Sequence, residues 1–220
     1  MLFLIAVAVF GLALVPFLVL QPNLPVDSSI LRRPLVGILY TAICVLGIVA
    51  VFYPNKCRMM FKKPSISPDP AKVTALPLQL IGHHPNCEKF SANRIIIHCR
   101  VFCAACSGLL IGAIVAILGI VLFSFGLFDM LSGPLWILMV GEVLMLAGLA
   151  QIRLGGYVKM AVNGLFVIGS CVSLIAVDVV GQNLLIDAYM LGLIVYMLWV
   201  RILISEWNNK RKCVNCGHCV

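Results

Sequence analysis

Two groups of cysteine and histidine carry the most evident chemistry in this chain of 220 residues, which holds ten cysteines and four histidines. The first group reads Gly82-His83-His84-Pro85-Asn86-Cys87, followed by Cys103-Ala104-Ala105-Cys106. A C-x-x-C pair lets one tight turn aim two thiolates at a single ion, and His84-x-x-Cys87 does the same with an imidazole and a thiolate. Fifteen residues separate Cys87 from Cys103. That spacing suits two half-sites closing on one tetrahedral zinc, so a structural site of His84, Cys87, Cys103 and Cys106 is expected. His83 is an alternative to His84, and His98 and Cys99 are further candidates. A catalytic zinc would need an open coordination position and a nearby acid or base. Glu88 is adjacent, but the H-x-E pairing of zinc deaminases is missing. The reading leans away from an enzyme.

The second group closes the sequence: Cys213-Val214-Asn215-Cys216-Gly217-His218-Cys219-Val220. C-x-x-C-Gly suits a zinc knuckle, because glycine lets the backbone curl over the sulfurs. Cys213, Cys216 and Cys219 also read C-x-x-C-x-x-C, the opening of a ferredoxin-type iron–sulfur run that lacks its final x-x-x-C-P. Such a cluster would need a fourth ligand, for example Cys57. A third arrangement joins Cys103 and Cys106 to Cys213 and Cys216 in one all-thiolate site. Zn2+ is the expected cofactor, with an iron–sulfur cluster at the tail as the alternative and an unliganded tail as the plain one. Cys44 and Cys171 fall in apolar stretches and read as small core fillers.

These residues must be positioned by a chain that is 62% hydrophobic and only 11% charged, with a mean hydropathy of +1.11. A soluble domain has no interior large enough for that composition, which points to the bilayer as solvent. Stretches near the ~20 apolar residues that cross a hydrocarbon core run about Leu2–Leu20, Pro34–Tyr53, Ser107–Leu127, Pro134–Ala150, Val158–Val180 and Leu184–Ile204. None alternates like a barrel strand, so an all-α polytopic bundle of about six spans is expected. The first stretch lacks the basic n-region and small-residue cleavage site of a signal peptide and reads as a retained span.

With six spans and both termini inside, every Lys and Arg except Arg32 and Arg33 falls on the inner side, 14 of the 16. By the positive-inside rule this expects a multi-pass plasma-membrane protein with both termini cytoplasmic. Four segments follow: a transmembrane hairpin over 1–53, a cytoplasmic Cys/His loop over 54–106, a four-span bundle over 107–204 and a Cys-rich tail over 205–220. Within the loop, Pro64, Pro68 and Pro70 mark 62–72 as an extended linker, and 73–81 is expected on the membrane surface or against the bundle. Both metal motifs then face a reducing compartment, where metal is favoured over disulfide.

Two features lie inside the spans. Gly108 and Gly112 form a G-x-x-x-G pattern, which lets two helix backbones approach closely, either within the bundle or across a dimer. Glu142 falls within the fourth span, where a charge costs ~2.5–3.5 kcal/mol even on the lenient scale, so it should face the bundle or be protonated. Ser170 and Ser173 fall at similar depth in the next span and are candidate partners. Asn163 and Gln182 read as interface residues without a role.

The segment Gly82-His83-His84-Pro85-Asn86-Cys87 with Cys103-Ala104-Ala105-Cys106-Ser107-Gly108 resembles a family of small predicted membrane proteins of archaea and bacteria with no assigned function. Its members show an H-H-P-x-C segment, then C-A-x-C-[ST]-G leading into a Gly-rich transmembrane helix. The resemblance covers about Gly82 to Gly119 and implies a metal-binding membrane protein without supplying a reaction. Ala105 stands where members often show Arg or Gly, and the terminal C-x-x-C-x-x-C falls outside the pattern.

Three functions fit these features. The first is a non-catalytic subunit or scaffold of a membrane complex, whose partners are the lipid bilayer and a protein or a second copy, with no nucleic acid. The second is a proton- or cation-coupled transporter or channel using Glu142. The third is a membrane redox protein with an iron–sulfur tail; no histidine falls within a span, which disfavours haem.

Overall fold

Long apolar runs build the helices, and most are apolar on every side. A computed structural model describes residues 1–21, 31–52, 93–97, 100–126 and 134–214. The α-helices among the described residues are α1 (Leu2–Val19), α2 (Arg32–Phe52), α3 (Ala104–Ser124), α4 (Pro134–Leu149), α5 (Gly156–Gly181) and α6 (Leu184–Val214). A short 3-10 turn, Ala150–Arg153, follows α4. The protein is an all-α bundle, and α1, α2, α3, α5 and α6 are each long and apolar enough to cross a membrane. Helix α4 has 16 residues. At 1.5 Å per residue it covers about 24 Å, and the 3-10 turn adds about 8 Å. Together they approach the ~30 Å of a hydrocarbon core. Leu2, Phe3, Phe10, Phe17, Ile38 and Leu118 point outward and are more than half exposed, as lipid-facing positions are.

Helix α5 is the axis of the bundle. Buried positions make up 67% of its span, against 28–44% in the other four long helices. Helices α3 and α4 pack closest against it, α2 lies on α3, and α1 lies on α6. Small residues set the approach of α3 and α4. A Cβ at Gly112 would lie 2.6 Å from the Gly164 carbonyl oxygen, and one at Gly108 would collide with the Met160 carbonyl. Gly141 abuts Gly169 and Ser173 in the same way. The G-x-x-x-G of α3 therefore serves contact inside the chain, between α3 and α5. Cys44 and Cys171 are buried fillers, and Cys171 also donates to the Ala116 carbonyl.

The loop before α3 forms an antiparallel hairpin, β1 (Arg94–Ile97) with β2 (Arg100–Cys103), a local structure that the sequence reading left out. The β-branched run Ile95-Ile96-Ile97 favours it. The register pairs Arg94 with Cys103. The proline-rich linker over 62–72 and the segment 73–81 lie outside the described residues.

The chain direction alternates from helix to helix. Tyr196 donates to the Leu4 carbonyl and Tyr189 to the Gly11 carbonyl, so α1 and α6 run antiparallel. The start of α1, the hairpin and the last turns of α6 thus share one end of the bundle. The starts of α2 and α6 and the end of α5 share the other.

Candidate functional site

At the hairpin end, β2 runs directly into α3. Cys103 is the residue that caps α3, which starts at Ala104, three residues before the span start expected from hydropathy, and Cys106 lies in its first turn. The two thiols are within hydrogen-bonding reach of each other, and the Lys159 ammonium lies close enough to act on Cys106 electrostatically. Cys103 is buried and Cys106 half-buried. Lys159 is itself buried and donates to Asn93 Oδ1 at 2.7 Å, which ties the hairpin to α5. Asn163, expected at the interface, is fully buried and donates to the Lys159 carbonyl.

Two soft thiols fixed side by side are half of a tetrahedral zinc site and fit that ion's donor preference. Among the described residues no three metal-ligating groups converge. His83, His84, Cys87, Cys57, His98, Cys99, Cys216 and Cys219 lie outside the described residues. The backbone of Cys213 belongs to the last turn of α6, while its side chain is outside the description.

The opposite end holds a cluster that the sequence reading missed. Arg32 was expected in a loop, but α2 begins at Arg32 and its guanidinium is 5% exposed. Its Nη1 lies 3.0 Å from Asp187 Oδ2 and 3.1 Å from Asp178 Oδ1, and its Nη2 donates to Asp178 Oδ2 at 3.3 Å. Arg33 Nε lies 3.3 Å from Asp178 Oδ2, with the Arg33 guanidinium over the Phe123 ring. Both aspartates are fully buried. The tight α5–α6 turn brings them together. Gln182 adopts a left-handed conformation (φ 43°) and Asn183 Oδ1 accepts the Leu185 N–H at 2.8 Å, capping α6. Two arginines offset two carboxylates, so α2 can start two residues earlier than its apolar run. Opposite charges at matched depth on neighbouring spans were the available signal.

Between the ends, Glu142 faces the bundle at 6% exposure, and its Oε1 has no hydrogen-bond partner. Neither serine bonds it. Ser170 donates to the Val167 carbonyl and shares a 2.8 Å bond with the Tyr40 hydroxyl, while Ser173 Oγ has no partner. Arg201 is buried nearer the hairpin end. It stacks over Phe166 and donates to Gln151 at 3.1 Å, leaving Nε and Nη1 without partners.

The fold and these buried charges define a helical bundle of the membrane-protein kind. No family model, curated protein or solved structure matches this chain.

Proposed function

We propose that this chain is a multi-pass plasma-membrane protein, with both termini cytoplasmic, that carries a structural zinc on its cytoplasmic face and serves as a non-catalytic subunit or scaffold of a membrane complex. Cys103 and Cys106 would supply one half of the site, and Cys87 with His84, or His83 in its place, the other. The observation that carries this reading is the hairpin register. Because Arg94 pairs with Cys103, the chain that precedes β1 starts beside the thiols. Cys87 is seven residues before Arg94, a tether of at most about 25 Å. Bound zinc would supply cross-linking of the loop to the bundle, since metal binding is linked to folding. The Lys159 ammonium partly offsets thiolate charge.

The basic residues support the orientation, because Lys159 and Arg201 stand at the hairpin end and Arg32 and Arg33 at the other. A face clipped by metal in this way offers a fixed surface to a protein partner or to a second copy of the chain. Cys213, Cys216 and Cys219 extend the same chemistry at the end of α6, as a second zinc site, as two ligands of the first, or as the start of an iron–sulfur cluster. The resemblance to small membrane proteins with an H-H-P-x-C segment points the same way.

The test is Cys103→Ser and Cys106→Ser in protein purified without chelator. Each variant is expected to lose zinc and to melt at lower temperature than wild type. Unchanged metal content and an unchanged melting profile in both would refute the site.

A further inference from the structure

The zinc reading uses none of the polar groups in the middle of the bundle. Glu142 on α4 and Ser173 on α5 are both more than nine-tenths buried, and each leaves an oxygen without a partner. Ser173 Oγ lies against Gly141, the residue before Glu142, so the two residues stand at the same depth in the bundle. Buried oxygens in proteins are normally satisfied by protein groups or by ordered water. A carboxyl group left unsatisfied in the membrane interior is a functional group by default.

We propose that Glu142 is a proton-exchanging site, with Ser173 at the same depth on the adjoining helix. The step is the gain and loss of one proton at a carboxylate oxygen; only an O–H bond forms or breaks, and water carries the proton. The charged groups nearest Glu142 lie toward the two ends of the bundle. Helix α1 brings none. Helix α5 brings Asp178 on one side and Lys159 on the other, and α6 brings Asp187 and Arg201 likewise; Arg153 belongs to the turn after α4. Arg32 and Arg33 balance the two aspartates at their end, and Lys159 and Arg201 lie toward the hairpin end.

Infrared difference spectroscopy of the wild-type protein in lipid tests this directly. The expected result is a carboxylic C=O band that titrates with pH, shifts in D2O within minutes, and disappears in Glu142→Gln. Ser173→Ala should shift its frequency, whereas Ser170→Ala should not, because that hydroxyl is engaged with Tyr40. A wild-type band that neither titrates nor exchanges would mean a sealed packing residue and would overturn the proposal. So would a titrating band that survives in folded Glu142→Gln. Neither result bears on zinc content, so this proposal and the zinc reading fail separately.

Discussion

Replacing Gly112 by alanine should destabilise the protein, while the same change at Gly47 should not. The usual effect of Gly→Ala in a helix is a gain of ~0.5–1 kcal/mol, because alanine loses less backbone entropy. At Gly47 nothing lies within 4 Å of the new Cβ, so that gain stands. At Gly112 the Cβ would sit 2.6 Å from the Gly164 carbonyl oxygen and 2.9 Å from its Cα, closer than real Cβ atoms come. Both obstacles are backbone, so no rotamer change relieves them, and α3 must move off α5. Overpacking of this kind costs ~1–3 kcal/mol. Moving α3 also loosens the contact of Gly108 with Met160 and Asn163 one turn away. The net expectation is a loss of ~0.5–2 kcal/mol at Gly112 and a small gain at Gly47. Reversible unfolding in mixed micelles, followed by circular dichroism, measures both. A Gly112→Ala protein as stable as wild type would refute the packing argument. So would one that keeps its stability but loses a dimer, which would assign the glycine pair to association between chains.

The buried ion cluster gives a second expectation. Arg32→Ala strands the buried Asp187 carboxylate and leaves Asp178 to Arg33 alone, and should cost ~3–5 kcal/mol, the usual result of breaking a buried pair. Asp187→Asn should cost less, because Asp178 still balances Arg32; equal losses would contradict the assigned geometry. Tyr40→Phe removes a hydroxyl that donates to the Val167 carbonyl at 2.9 Å and contacts Ser170. It should cost ~1 kcal/mol in the same unfolding assay, and no change would mean that the hydroxyl has no net role. A single added cysteine after Met1, in a background with the native cysteines replaced, should react with an impermeant maleimide only after cells are opened. Labelling of intact cells would overturn the cytoplasmic assignment of the N-terminus.

Among the described residues, hydropathy alone located each helix end to within three residues, because a run of ~20 apolar residues has few other uses; the exception is α6, which continues ten residues past the expected Ile204 to Val214 through a polar, basic stretch. The errors fall where charge or local geometry overrides hydropathy. Arg32 and Arg33 ended an apolar run in the sequence, yet they belong to α2 because Asp178 and Asp187 neutralise them from helices that are distant in sequence. The Cys103–Cys106 spacing was legible, but its placement at the start of α3 depends on the hairpin, whose four-residue strands carry little periodic signal. The use of Gly108 and Gly112 inside the chain was undecided, since small-residue spacing is the same for an internal and an external neighbour. Glu142 was expected to find a serine partner at matched depth. Depth fixes height along a helix and leaves the rotation about its axis open, and Ser170 turned out to face Tyr40.

The central claim is that Cys103 and Cys106 hold zinc. Elemental analysis combined with X-ray absorption at the zinc edge, on protein purified in lipid or mild detergent, measures it most directly. Stoichiometric zinc with a mixed shell of sulfur at ~2.3 Å and nitrogen at ~2.0 Å is predicted, with the zinc lost when both cysteines are replaced by serine. Absence of zinc from the purified protein, or iron with acid-labile sulfide in its place, would contradict it.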